Sequence, residues 1–239
     1  MNRVVLFEQD RINSDRYALL DNFRREHLIQ HLKIKKGDQL KVSVLGRGLG
    51  LAEIEEIQPE RIQLKLLCPL EAPLLPEIHL YVATSRPPTM KKIVEHGTTL
   101  GVTHFHFFTA QLSQKSYLDS KVLLEENLNQ LASLGISQSG KIWNAPQFFK
   151  YKDLFEAKDQ IQGKHFLLSV KNGPSLLQAK PNFQGPLHFW IGPERGWTNQ
   201  EEEILIKANI QAISLSQHIL RVETAAFALL SQLEMLQLN

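Results

Sequence analysis

Hydrophobic and polar positions sort the chain into short strands with one helix up to about residue 72, and into strands alternating with helices beyond it. Val4 to Phe7 is strand-like, and Leu40 to Val44 and Leu51 to Ile57 alternate with period two around Leu45-Gly46-Arg47-Gly48-Leu49-Gly50. That pattern predicts a β-hairpin with a glycine-rich turn. Between these runs, Tyr17, Leu19, Leu20, Phe23, Leu28 and Leu32 have helical spacing and predict a helix from Asp15 to His31. Prolines 69, 73 and 76 then interrupt the pattern. Such a cluster reads as a linker, so the expected domains are residues 1–72 and 73–239.

In the second domain Ile78 to Ala83 is a strand, and Pro88 opens a helix that Gly101 closes. Proline suits a first helical turn, and glycine suits the residue after the last one. A strand over 102–108 follows. Leucines at 123, 124, 128, 131 and 134 predict a helix from Asp119 to Leu134, stopped by Gly135. Residues 165–170, 187–191 and 212–215 are short apolar strands, Thr198 and Glu201 form a capping box, and Val222 to Leu236 is a final amphipathic helix. Strands alternating with helices imply an α/β fold, a mainly parallel sheet with helices on both faces.

Chemistry concentrates near the end of the chain. The apolar run Leu187 to Ile191 stops at Gly192-Pro193-Glu194-Arg195-Gly196, and the next strand runs into a loop carrying Arg221 and Glu223. An open α/β sheet binds ligands where strand ends deliver such turns, because glycine lets bare backbone groups approach the ligand closely. Arg221 and Glu223 set charge beside that place. A surface ion pair capping the last helix is the plainer alternative.

Charge adds a second feature. The net charge is only +2, but residues 24–47 carry seven Lys or Arg against two acids. Arg24, Arg25, Lys33, Lys35, Lys36 and Arg47 therefore form a candidate basic stripe for a polyanion such as RNA. The single cysteine, Cys68, excludes an internal disulfide framework and fits a reducing compartment. No apolar run reaches membrane-spanning length, and the first ten residues lack the apolar core of a signal peptide. A cytoplasmic protein without membrane contact is expected.

Several other patterns point to no site. The Gly46–Gly50 turn lies between two strands, so it is a hairpin and not a nucleotide fingerprint. His27 and His31 have the spacing of zinc ligands, but Leu28 stands where a metalloprotease motif needs glutamate. His104 and His106 share one side of a strand, and packed, hydrogen-bonded rings account for them. No metal is expected.

The strings Ile191-Gly192-Pro193-Glu194-Arg195-Gly196-Trp197 and 214–226 resemble the signatures of the RsmE-type 16S rRNA (uracil-N3) methyltransferases of the SPOUT superfamily. Residues 84–102 and 22–42 resemble that family's middle and N-terminal segments, so the likeness covers nearly the whole chain. Arg195 replaces the family's second glycine, Ser216 the glycine and His218 the arginine of the later motif. The resemblance implies a C-terminal SPOUT-type trefoil-knot methyltransferase domain and a small N-terminal PUA-like β-barrel that binds RNA. It implies a homodimer that uses S-adenosyl-L-methionine to methylate uridine N3 in the 16S rRNA of the small ribosomal subunit. By motif, Ile191, Gly192, Glu194, Gly196, Leu215, Ser216, Ile219 and Leu220 would cradle the cofactor. Arg221 would be the electrostatic group at the acceptor base, Glu223 the base or the residue orienting Arg221, and Glu194 the second-choice base. A methyltransferase for another RNA site, and a non-catalytic RNA-binding or ribosome-assembly protein, stay open as alternatives.

Overall fold

The computed structural model describes residues 3–159, 163–170 and 173–237. Contacts divide the chain into two compact units, one reaching Leu74 and including Ile136–Ala145, the other built from Leu75–Gly135 and from Pro146 onward. The return of Ile136–Ala145 to the first unit was not legible in the linear pattern.

The first unit holds β1 (Val4–Leu6), β2 (Arg16–Leu19), α1 (Asn22–Glu26), β3 (Gln39–Val44), β4 (Gly48–Gln58) and β5 (Arg61–Leu66). They form one sheet in the order β1-β3-β4-β5-β2, antiparallel except for β1 beside β3. The β3–β4 hairpin has the expected turn, with Val44 opposite Gly48. The expected helix from Asp15 to His31 needs correction. Its first part is strand β2, whose Tyr17 and Leu19 pair with Leu64 and Ile62 and are fully buried. The helix begins only where the Asp21 side chain caps it by accepting from the Arg24 N–H, 2.9 Å away. It passes into a π-helical turn over His27–His31. Leu20, Phe23 and Leu32 are exposed, so the apparent helical stripe was a strand pair followed by a largely solvated helix.

Two of the basic residues expected on an RNA-facing surface are also corrected. Arg24 is buried; its guanidinium meets Asp10 at 2.5 and 2.8 Å, donates to the Val5 carbonyl at 2.7 Å, and also pairs with Asp21. Burial works against this charge, but the two carboxylates outweigh it and hold Arg24 above its ordinary pKa. Arg25 is buried as well and donates to the Pro59 carbonyl and Asn22. Arg47, half-buried, donates to the Tyr17 hydroxyl at 2.6 Å. Lys33, Lys35 and Lys36 are exposed.

The second unit alternates as expected: β6 (Ile78–Ala83), α2 (Pro87–Thr99), β7 (His104–Phe108), α3 (Glu125–Gln138), β8 (Gln147–Tyr151), α4 (Leu154–Lys158), β9 (His165–Leu168), α5 (Leu176–Ala179), β10 (Leu187–Ile191), α6 (Asn199–Lys207), β11 (Gln211–Ile213) and α7 (Val222–Gln237). Six strands form a parallel sheet in the order β11-β9-β10-β6-β7-β8. Residues of alternating parity along each strand serve opposite faces. Leu80, Val82, Phe105, Phe107, Phe189 and Ile191 pack with α2, α3, α5 and α7. Tyr81, Ala83, Phe108 and Trp190 pack with α4 and α6 on the other face.

Gly135 does not stop α3. It lies inside the helix, where a Cβ would fall 2.3 Å from the Glu95 carbonyl of α2. Thr99 donates to the Gly135 carbonyl at 3.1 Å, so this glycine permits two helices to touch. At the amino ends of the central strands, His165, His188, His79 and His104 occupy one row across β9, β10, β6 and β7. Their ring centroids are 4.1, 4.3 and 4.0 Å apart. Burial, reinforced by neighbouring imidazoles, pushes His106 and His188 down to about 3. Both therefore pack as neutral rings.

Replacing Arg24 by alanine leaves the Asp10 carboxylate buried without its partner. The expected loss is about 3–5 kcal/mol of folding stability, read from urea unfolding. A loss below about 1 kcal/mol, the range of an exposed pair, would count against a structural role for Arg24.

Candidate functional site

Three loops leave the carboxyl ends of the adjacent strands β11, β9 and β10. Strand β10 ends in the Gly192–Gly196 turn, closed by the Gly196 N–H donating to the Pro193 carbonyl at 2.8 Å. The turn passes into α6, where Thr198 and Glu201 form the expected capping box. Glu201 is buried and also accepts from the Gln111 N–H at 2.7 Å, tying down the loop after β7. The loop after β11 is shaped by its own hydroxyls: Ser214 donates to the Ser216 carbonyl at 3.2 Å, and Ser216 accepts from the His218 N–H at 3.0 Å. Gln232 of α7 donates to the Leu215 carbonyl at 3.2 Å. Behind β9, the Ser169 N–H donates to the Ile213 carbonyl at 3.0 Å, and the Ser169 hydroxyl reaches Glu202 at 3.0 Å.

These loops enclose a cavity of about 310 Å³. Ile191, Gly192, Glu194, Gly196, Leu215, Ser216, Ile219 and Leu220 all line it. Leu168, Ser169, Val170, Trp197, Glu202 and Ala225 line it too, and sequence reasoning missed them. The 168–170 segment carries no motif, and only the pairing of β9 between β10 and β11 brings it there. Trp197 donates to the Leu168 carbonyl at 3.2 Å and stacks near-parallel to Phe108. Its ring lies so close over Gly192 that a Cβ there would sit 3.0 Å from it. That contact, rather than the turn, explains why residue 192 is glycine.

A second cavity of about 300 Å³ adjoins the first, and the two share Pro193, Glu194 and Arg195. Thr84, Ser85, Arg86, Ser113, Gln114 and Tyr117 are among its other walls. Glu194 accepts from the Arg86 N–H at 3.3 Å and pairs with the Arg86 guanidinium at 3.3 Å. The buried Thr84 hydroxyl oxygen has no hydrogen-bond partner among the described residues.

The expected catalytic residues separate. Glu194 lies where both cavities meet, while Arg221 is exposed between the lining residues Leu220 and Val222. Glu223 faces Lys92, 3.7 Å away, and among the described residues no ion pair joins it to Arg221. Arg195, noted in the sequence only as a departure from a motif, lines both cavities.

A parallel sheet with a cavity over three adjacent strand ends defines an α/β ligand-binding domain. Over residues 71–234 the chain matches the family described as RNA methyltransferase domain, and it belongs to that family. It is 29% identical over 212 residues to ribosomal RNA small subunit methyltransferase E 1 of Borreliella burgdorferi, covering 87% of this chain and 88% of that one. Against ribosomal RNA small subunit methyltransferase E of Treponema pallidum the identity is 26%, over 94% and 88% of the two chains. Among solved structures, the Neisseria gonorrhoeae ribosomal RNA small subunit methyltransferase E bound to S-adenosyl methionine superposes with a TM-score of 0.77 at 22% identity, over 98% of each chain. A Legionella pneumophila protein solved with the cofactor SAM gives 0.79 at 18% identity, over 99% of this chain and 98% of that one. These two likenesses concern the fold. No helix among the described residues is long and apolar enough to cross a membrane.

Substituting Gly192 by alanine should displace the Trp197 ring at a cost of about 1–3 kcal/mol, the usual penalty of overpacking. The tryptophan bands of the near-ultraviolet circular dichroism spectrum would change with it. An unaltered spectrum and stability would show that the ring does not rest on Gly192.

Proposed function

We propose that this protein methylates N3 of a uridine in the 16S rRNA of the small ribosomal subunit, using S-adenosyl-L-methionine. The observation that carries this reading is the pair of adjoining cavities that share the Glu194 turn. The first suits the cofactor: Ile191, Leu215, Ile219 and Leu220 offer apolar surface to a purine, while Ser169, Ser216 and Glu202 offer polar groups, and its volume lies in the range of small-molecule sites. Family membership and the two relatives named for small-subunit rRNA support the RNA substrate.

The second cavity suits the acceptor base. Uracil must leave its stack to expose N3, which lies on the pairing edge. The orphaned Thr84 hydroxyl would take a polar atom of that edge, and Tyr117 offers a ring to stack on. When bound, the cofactor supplies an electrophilic methyl group on sulfur; the chain's own task is to align the base and remove its proton. N3 becomes a nucleophile when that proton leaves, and Glu194, at the junction, is placed to accept it. Arg195 and Arg86 would stabilise the charge developing on the ring. Arg221 and Glu223, facing away from the second cavity, would act at its rim or on the RNA backbone.

Lys33, Lys35 and Lys36 would meet phosphates, in a first unit we read as a PUA-like barrel. The C-terminal helix would complete a trefoil knot. Ile219 lines the cofactor cavity yet is 87% exposed in the single chain; a second copy covering it would give the homodimer.

Calorimetric titration should show micromolar binding of S-adenosylmethionine, one per protomer, and unmodified small subunits should acquire N3-methyluridine. Folded protein that binds no cofactor would overturn the methyltransferase reading in favour of a non-catalytic RNA-binding role. Methylation at another atom or nucleotide would overturn only the site assignment. Glu194→Gln should retain cofactor binding and lose about 10²-fold or more in turnover, the contribution expected of a general base; full turnover would remove it from that role. Replacing Lys33, Lys35 and Lys36 together by alanine should weaken rRNA binding and flatten its salt dependence by about 0.9 per lost phosphate contact for duplex, or about 0.7 for single strands. An unchanged salt slope would place the RNA elsewhere.

A further inference from the structure

At the end of the parallel sheet away from the cofactor turn, the histidine row meets a carboxylate. One donor atom from each of Glu77, His79 and His104 lies within 4.8 Å of the other two. A Glu77 carboxylate oxygen is 2.7 Å from His79 Nε2 and 4.0 Å from His104 Nδ1. The His79 and His104 side chains are 13% and 16% exposed and that of Glu77 49%, so solvent reaches the cluster. We propose that Glu77, His79 and His104 form a binding site for a divalent transition ion of the zinc class, linking β6 to β7.

The donor chemistry selects that class. Two neutral imidazoles and one carboxylate suit zinc and its neighbours better than magnesium or calcium, which favour oxygen throughout. Three protein ligands leave a position for water.

The surrounding hydrogen bonds have the form a metal-bound histidine requires. His79 Nδ1 lies 3.0 Å from His106 Nε2, and His106 Nδ1 lies 3.0 Å from the Tyr151 hydroxyl. Without a metal the His79 proton sits on Nε2 and donates to Glu77, while Nδ1 accepts from His106. With a cation at Nε2 the same chain runs in reverse: His79 Nδ1–H donates to His106 and His106 Nδ1–H donates to Tyr151. Every ring nitrogen in the chain stays satisfied in both states. A ligating imidazole whose other nitrogen donates to a fixed acceptor is the usual outer arrangement of a metal site. His104 can also release its lone pair, because the Thr103 hydroxyl 2.9 Å from its Nδ1 has another acceptor, the Ile78 carbonyl at 2.9 Å.

Geometry demands one adjustment. Ligand bonds near 2.0–2.1 Å in a tetrahedral site put donors roughly 3.3 Å apart. The 4.0 Å gap between Glu77 and His104 must therefore close, which the exposed glutamate can do by changing rotamer. Linear spacing hid the set, since it joins residues 77, 79 and 104 through the β6–β7 register.

The test is titration of the tag-free, full-length protein with zinc chloride by calorimetry, and with cobalt followed by visible absorption. One equivalent should bind with micromolar affinity, cobalt should show the intense absorption of a four-coordinate site, and zinc should raise the melting temperature until EDTA reverses it. Glu77→Gln and His104→Gln should each weaken binding by about tenfold or more, while the metal-free melting temperature stays near that of the parent. His27→Gln/His31→Gln should bind as the parent does. Absence of zinc binding by the parent, or binding that survives Glu77→Gln/His104→Gln and disappears in His27→Gln/His31→Gln, would overturn the proposal.

Discussion

Parallel pairing of β9 with both β10 and β11 is the constraint on which the site rests, because it sets Leu167, Trp190 and Ala212 level across three strands. Strands in that register end side by side, so their following loops must begin within reach of one another. A slip of one residue would turn Phe189 and Ile191 from the helix-covered core to the opposite face, and would move the Gly192 turn out of line with residues 168–170. Burial of both faces is what holds the register. Phe166, Phe189 and Ile213 pack against one helical layer, while Leu167 and Trp190 pack against the other.

Close contacts then place individual groups. Trp197 rests on Gly192 and bonds to the end of β9. Glu201 caps α6 and holds the loop after β7. Gln232 of α7 holds Leu215. Each contact joins segments distant in sequence, and together they leave two adjoining cavities rather than a collapsed turn. Gly135 has the same physical role between α2 and α3: where a Cβ would strike a carbonyl, only glycine lets two backbones meet.

Charge in this protein divides into fixed and available groups. Arg24 and Arg25 are saturated by carboxylates and carbonyls within the first unit, and such donors have nothing left for a phosphate. Lys33, Lys35 and Lys36 stand in solvent. In the second unit Glu223 is matched with Lys92, while Glu194 and Arg86 are matched across a cavity, where a ligand can exchange with them. The histidine row shows the same sheet used at its other end: parallel strands bring all their amino ends to one edge, so residues at like positions in separate strands become neighbours.

Much of this was present in the order of residues. The alternation of strand and helix, the hairpin at Gly46–Gly50, the capping box at Thr198 and the two cavity-forming turns depend on local backbone preference and short periodicity, which a linear chain displays. Other features required the folded molecule. Tyr17 and Leu19 have a spacing that fits either helix or strand, and pairing with β5 decided between them. Gly135 looked like a stop until α2 was placed against it. Arg24 looked like a surface charge until Asp10, fourteen residues earlier, was found beside it. The sequence by itself determined which segments are strands, helices and turns, because those follow from near neighbours along the chain. Only the tertiary structure decided which side chains share a cavity, a buried ion pair or a row of rings, because those depend on strand order and register, set by packing across the whole sheet.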